Sequence, residues 1–93
     1  MRLGRVRRLH FAGVDGVGMC GLAEVLLAEG LAVSGCDLAP GQRSERLRGL
    51  GVEVAEGHDP SHLEGVDALV VSAALDRSNP EVSAALDRGI PVV

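Results

Sequence analysis

Glycines mark the stretch with the most chemical potential. In His10-Phe11-Ala12-Gly13-Val14-Asp15-Gly16-Val17-Gly18-Met19-Cys20-Gly21, four glycines fall within nine residues. Glycine costs roughly 0.5–1 kcal/mol relative to alanine inside a regular element, so such a cluster belongs where backbone must approach something closely. At a strand-to-helix turn that something is typically phosphate, because the unpaired N–H groups and the positive end of the helix dipole favour an anion. A literal Gly-x-Gly-x-x-Gly is present as Gly16 to Gly21. The usual register starts immediately after the strand, at Gly13, and then puts Asp15 where close approach to a pyrophosphate wants glycine. A phosphate-binding turn is the favoured reading, and a tight, ligand-free βα turn is the competing one. A carboxylate at position 15 opposes a diphosphate, so Asp15→Gly is expected to tighten nucleotide binding.

Other candidates lie further along the chain. Asp37 follows Gly13 by about two dozen residues, where an acid in a dinucleotide fold hydrogen-bonds ribose hydroxyls; capping the next turn is the alternative use. His58, in a loop, is either a neutral imidazole for a base or sugar or a surface residue. His62 reads as solvated and His10 as a strand residue. Cys20, near a helix start, is either a thiol of lowered pKa or small filler. Ser72 and Asn79 flank a polar loop, with Asn79 reading first as a helix cap.

These residues need a frame, and the pattern supplies one. Val6–Ala12 is expected as a strand burying Val6, Leu9 and Phe11. The helix after the glycines should bury Met19, Leu22, Val25 and Leu26 and close at Gly30. A second strand covers Leu31–Cys36. A short helix over Gln42–Leu50 turns Leu47 and Leu50 inward, with Ser44 as a cap. Val52–Ala55 alternates like an edge strand, and a helical turn follows at Ser61–Glu64. Val66–Ser72 is the most apolar strand and should be central. Asn79 and Pro80 start a helix to Arg88, stopped by Gly89; Ile90–Val93 begins a fifth strand. Strands alternating with helices imply an α/β fold: a Rossmann-like, doubly wound parallel sheet of about five strands. In such sheets ligands bind at the carboxyl ends of the strands, and Gly13, Asp37, His58 and Ser72 all fall there. Ser72–Arg77 recurs word for word as Ser83–Arg88, the first copy expected as loop and the second as helix.

Composition removes several function classes. The 93 residues are expected to form a single domain over 1–93, with an aliphatic core around the sole aromatic residue, Phe11. A net charge of −4 argues against a nucleic-acid partner. All nine basic residues are Arg; without Lys there is no Walker-type loop and no Schiff-base chemistry. Two cysteines fit no metal spacing and suit a reduced, cytoplasmic protein. No apolar run approaches the roughly 18 residues of a membrane span, and the arginine-rich start is a solvated lead-in rather than a signal peptide. No catalytic residue and no metal ligand is expected in this segment.

The motifs His10-Phe11-x-Gly13-Val14-x-Gly16-x-Gly18-Met19-x-Gly21-Leu22-Ala23-Glu24, Gly35-Cys36-Asp37, Gly57-His58, Val70-Val71-Ser72 and Asn79-Pro80-Glu81-Val82 closely resemble the start of the bacterial Mur ligases. The resemblance runs to Ile90-Pro91-Val92 and implies the N-terminal, UDP-binding domain of the ligase that adds L-alanine to UDP-N-acetylmuramate in peptidoglycan synthesis. It implies that Gly16, Val17, Gly18 and Met19 supply backbone near the diphosphate, with Gly13 and Asp15 in the same UDP-binding turn. Asp37 and His58 would lie toward the uridine, with Ser72 and Ala73 lining the same cleft. ATP and Mg2+ would serve the parent enzyme through central and C-terminal domains expected to be absent here, the rest of the ligase chain being the partner. The family usually has glycine where this chain has Asp15. Alternatives are the murein-peptide recycling ligase, a non-enzymatic NAD- or nucleotide-binding Rossmann module, and a scaffold whose binding Asp15 has abolished.

Overall fold

The computed structural model describes residues 6–73 and 75–93. Most of the arginine-rich lead-in, and Ala74 of the first hexapeptide copy, lie outside them. The elements run β1 (Arg8–Ala12), α1 (Met19–Ala28), β2 (Ala32–Asp37), α2 (Gln42–Gly49), β3 (Glu53–Glu56), a 3₁₀ turn (Pro60–Leu63), β4 (Ala68–Val71) and α3 (Pro80–Arg88). The strands form one parallel sheet in the order β3-β2-β1-β4. The free edge of β4 is extended by residues 91–93. Leu69 N–H donates to the Pro91 carbonyl (2.9 Å), Val93 N–H to Leu69 (2.8 Å), and Val71 N–H to Val93 (3.0 Å). The expected fifth strand is thus begun as a bridge, Leu69 to Val92. β4 therefore has neighbours on both sides, β1 stands between β2 and β4, and β3 is an edge, as its alternation implies.

Parallel strands joined by crossovers are covered on both faces, and β1 shows how one strand serves both. Leu9 and Phe11 join a core with Val14, Met19, Ala23, Leu26, Leu47 and Val54 beneath α1 and α2. Ala12 belongs to a second core with Cys36, Leu63, Leu69, Val82 and Ala85 beneath the 3₁₀ turn and α3. His10 shares that second side and is buried.

Helix faces depart from expectation in two places. α1 buries Met19, Cys20, Ala23 and Leu26, leaving Leu22 and Val25 substantially exposed. The small residues Cys20 and Ala23 let the helix axis approach the sheet, rotating the buried stripe away from the bulkier side chains. Leu22 instead flanks an apolar groove with Val6, Leu26, Val70 and Val93. In α2, Leu47 is buried but Leu50 is half exposed, because the helix ends at Gly49. Asn79 caps α3 as expected, its Oδ1 accepting from the N–H groups of Glu81 (2.9 Å) and Val82 (3.3 Å), and Gly89 closes that helix at φ +71°. The second hexapeptide copy lies in α3, and the described residues of the first form turn and loop. Tertiary context decides each copy.

Gly35 allows the glycine turn to fold down over β2: a Cβ there would lie 2.9 Å from the Val14 Cβ. Gly35→Ala should destabilise the domain by about 1–3 kcal/mol through overpacking. Chemical denaturation measures this, and Val14→Ala in the same chain should recover part of the loss.

Candidate functional site

The glycine turn is built from backbone. The amides of Gly13 (2.9 Å) and Val14 (3.0 Å) both donate to the Cys36 carbonyl, tying the end of β1 to β2. Gly16 N–H closes on the Gly13 carbonyl (3.0 Å) and Met19 N–H on Gly16 (3.1 Å). Gly13 (φ +81°) and Gly18 (φ +83°) take the left-handed conformation that side chains disfavour, and Gly18 stands at the N-cap of α1 without a side-chain cap. The amides of Val17, Gly18, Cys20 and Gly21 make no backbone hydrogen bond to another described residue. Open N–H donors at the positive end of a ten-residue helix make an anion cradle.

The cradle lies where the strand order reverses, between β1 and β4, the position at which open α/β sheets form ligand crevices. Ser72 N–H donates to the Ala12 carbonyl (3.2 Å), and a Cβ on Gly13 would meet the Ser72 Cβ and Oγ at 3.2 Å. Ser72 is thus packed against the turn, and exposed Ala73 follows it. Met19 contributes differently: its side chain is in the core, and its amide is spent on Gly16.

Asp15 corrects an expectation. Its carboxylate does not face the cradle but turns to the start of α2, where Oδ2 accepts from Gly41 N–H (2.7 Å), Ser44 N–H (2.9 Å) and Ser44 Oγ–H (2.7 Å). α2 has glycine at its N-cap and no side-chain cap of its own, so Asp15 serves as a cap supplied from elsewhere in the chain. Ser44, expected to cap, is a buried donor to that carboxylate. The Ser44 hydroxyl, opposed by burial and supported by the Gly41 and Ser44 amides and Arg43, holds the Asp15 carboxyl below its usual range. Asp37 is drawn in through the backbone: Oδ2 accepts from Asp15 N–H and Oδ1 from Ala39 N–H, both at 3.0 Å. The turn-capping use of Asp37 is realised, and each oxygen retains acceptor capacity.

Beneath α3 lies a polar cluster that the sequence pattern did not bring together. Glu81 is fully buried in the first turn of α3. Its carboxylate meets Cys36 Sγ (3.1 and 3.2 Å), His58 Nδ1 (3.3 Å), His62 Nδ1 in a very short contact, His10 Nε2 (3.6 Å) and the Asp59 amide (3.2 Å). Burial alone would raise the Glu81 pKa; the contacts from His10, Cys36, His62 and the Asp59 amide outweigh it and hold the carboxyl down to about 2. Burial pushes the Cys36 thiol up, and the Glu81 carboxylate adds to the rise. His62 is therefore not a solvated residue. His58, expected toward a uridine, has Nδ1 directed at this cluster, 3.3 Å from Cys36 Sγ. Cys20 is filler: burial raises its thiol pKa, and Glu24 raises it further.

The comparisons with known proteins agree with this frame. The family described as "Mur ligase family, catalytic domain" matches residues 8–93. The chain is 56% identical over 90 residues to the UDP-N-acetylmuramate–L-alanine ligase of Halorhodospira halophila, covering 97% of this chain and 18% of that protein. It is 52% identical over 89 residues to the enzyme of that name from Chromobacterium violaceum, covering 96% and 19%. Among solved structures it superposes on the UDP-N-acetylmuramate–alanine ligase of Thermotoga maritima with a TM-score of 0.87 at 27% identity, over 91% of this chain and 20% of that one. It also superposes on a murein peptide ligase from Psychrobacter arcticus with a TM-score of 0.87 at 30% identity, over 94% and 18%. The chain spans about a fifth of the length of the curated relatives it matches.

Capping by Asp15 has a pH signature. Its folded pKa is depressed, so its contribution is present above the unfolded value of about 3.9 and is lost as pH falls through the lower folded value. Asp15→Ala should cost about 1 kcal/mol at neutral pH, the usual worth of a cap. The gap between variant and parent should narrow in denaturation curves taken below about pH 4.

Proposed function

We propose that this chain, which belongs to the Mur ligase family, is the sugar-nucleotide-holding part of a ligase that joins L-alanine to UDP-N-acetylmuramate. The observation that carries the proposal is the open set of amides at Val17, Gly18, Cys20 and Gly21, at the start of α1 and at the reversal point of the sheet. A diphosphate there gains backbone donors and the helix dipole. Gly13 and Gly16 shape the turn, and Asp37 sits one hydrogen bond away with spare acceptor capacity for a ribose hydroxyl. Ser72 and Ala73 form the opposite lip. His58 has Nε2 for the uridine end, its Nδ1 being engaged with Cys36 and Glu81.

Asp15 is compatible with this reading because its charge is spent on α2. The alanine-adding ligase is favoured over the murein-peptide recycling ligase because the curated relatives named for it are 52–56% identical over 96–97% of this chain. The residues present do not fit an ATP–magnesium site: the chain has no Lys and no Gly-Lys-Thr loop. In the proposed enzyme, carboxylate activation by ATP and Mg2+ falls to other parts of a longer cytoplasmic protein. Among the described residues no helix is long and apolar enough to cross a membrane.

Amide NMR tests the reading. UDP or UDP-N-acetylmuramate should shift the resonances of Gly13 to Gly21, whereas NAD should not; no shift at millimolar UDP, or preference for NAD, overturns it. Gly18→Ala, which forces a side chain into the left-handed region and into the open face of the cradle, should weaken UDP binding roughly tenfold or more, about 1.4 kcal/mol. Asp15→Gly should leave UDP affinity unchanged wherever the variant remains folded.

A further inference from the structure

His10, Cys36, His62 and Glu81 come from β1, β2, the 3₁₀ turn and α3, yet each offers a ligand atom within 4.8 Å of the others. Four edges of the resulting figure are resolved individually: His10 Nε2 to Cys36 Sγ at 3.2 Å, Cys36 Sγ to Glu81 Oε2 at 3.2 Å, His10 Nε2 to Glu81 Oε2 at 3.6 Å, and the very short contact of His62 Nδ1 with Glu81 Oε2. A tetrahedral zinc ion with bonds of about 2.0–2.3 Å has ligand-to-ligand edges of about 3.3–3.8 Å. The His10, Cys36 and Glu81 atoms already stand close to the spacing the ion requires, and His62 has only to draw back from Glu81 to complete it.

Four further features point the same way. One sulfur, two imidazole nitrogens and one carboxylate form a set of zinc-class softness, unlike the all-oxygen shells of magnesium and calcium. His10 Nδ1 lies 2.8 Å from Ser34 Oγ, the outer hydrogen bond that fixes a ligating histidine with its other nitrogen aimed inward. Charge also balances: one thiolate and one carboxylate neutralise a dication, so the occupied site would place no net charge in the buried layer. A cavity of about 250 Å³, bordered by His10, Ser34, Glu53 and His62, gives access from solvent on the His62 side.

We propose that His10 Nε2, Cys36 Sγ, His62 Nδ1 and Glu81 bind a single zinc-class divalent cation, with Ser34 orienting His10 from behind. The ion replaces the proton on the Cys36 thiol, which leaves to solvent, and displaces the short His62–Glu81 contact with a shared metal bond. His58, also within reach of Cys36 and Glu81, remains as an outer hydrogen-bonding group. The site staples two strands, a turn and a helix together on the α3 side of the sheet. It uses none of the cradle amides and shares with the nucleotide reading only His58, which meets the cluster through Nδ1.

The test uses the untagged chain, stripped by chelation under reducing conditions and titrated with Zn2+ or Co2+ alone. One equivalent of Co2+ should give the intense visible bands of a tetrahedral ion and a near-ultraviolet sulfur-to-cobalt band, both bleached by Zn2+ and unaffected by Mg2+. Cys36→Ser should abolish the sulfur band while Cys20→Ser retains it. Ser34→Ala should weaken Zn2+ binding by about 10–100-fold, the usual worth of an outer-shell partner. His62→Asn, at a partly exposed position, should weaken it by at least as much. A pale octahedral cobalt spectrum overturns the proposal. So does a sulfur band that follows Cys20, or unchanged Zn2+ affinity in both Cys36→Ser and His62→Asn with native amide spectra.

Discussion

Glu81 is a carboxylate with no exposed surface, and that constraint organises one side of the molecule. Removing an ionised group from water costs several kcal/mol unless its oxygens find donors. Here the donors come from separate elements: Cys36 from β2, His62 from the 3₁₀ turn, the loop carrying His58 and the Asp59 amide, with His10 of β1 close behind. Each must be in place for the others to be satisfied. The start of α3, itself favourable to an acid, cannot slide along the sheet without breaking several of these contacts together. An apolar core tolerates approximate packing better than such a cluster does.

The other face uses the same device with different parts. Asp15 leaves a glycine turn to cap a helix that has no cap of its own, and Asp37 then takes the amide of Asp15. The turn, β2 and α2 are thereby joined through two carboxylates and a handful of backbone amides. An arrangement in which acids hold other elements in position leaves the amides at the head of α1 open for an outside anion.

Local rules read much of this chain correctly. Glycine after a strand, Asn-Pro before a helix and alternation in β3 depend on nearest neighbours, and the fold class, the α3 cap and the edge position of β3 follow from them. What escaped has a common cause. The roles of Asp15, Ser44, His62 and Glu81 are set by partners 19 to 45 residues away, and no window of sequence reports such distances. Bulk places Leu22 and Val25 on the buried face of α1, whereas closeness to the sheet selects Cys20 and Ala23. At the candidate site, the register of the glycines was legible and the direction of one carboxylate was not.

The strand order carries a consequence for how the chain is made. β1 leaves the ribosome before the other strands of this sheet, yet one of its two edges waits for β4, about 60 residues later in the chain. The Arg7 and Arg8 amides that meet Asp67 wait as long. Until then Leu9, Phe11 and one line of backbone donors and acceptors lack their final cover, an invitation to mispairing. Most of the sheet's contacts span long loops, so closure entropy is spent before packing rewards it and folding is expected to be slow for a domain this small. This sheet is at its most vulnerable during synthesis just before β4 emerges.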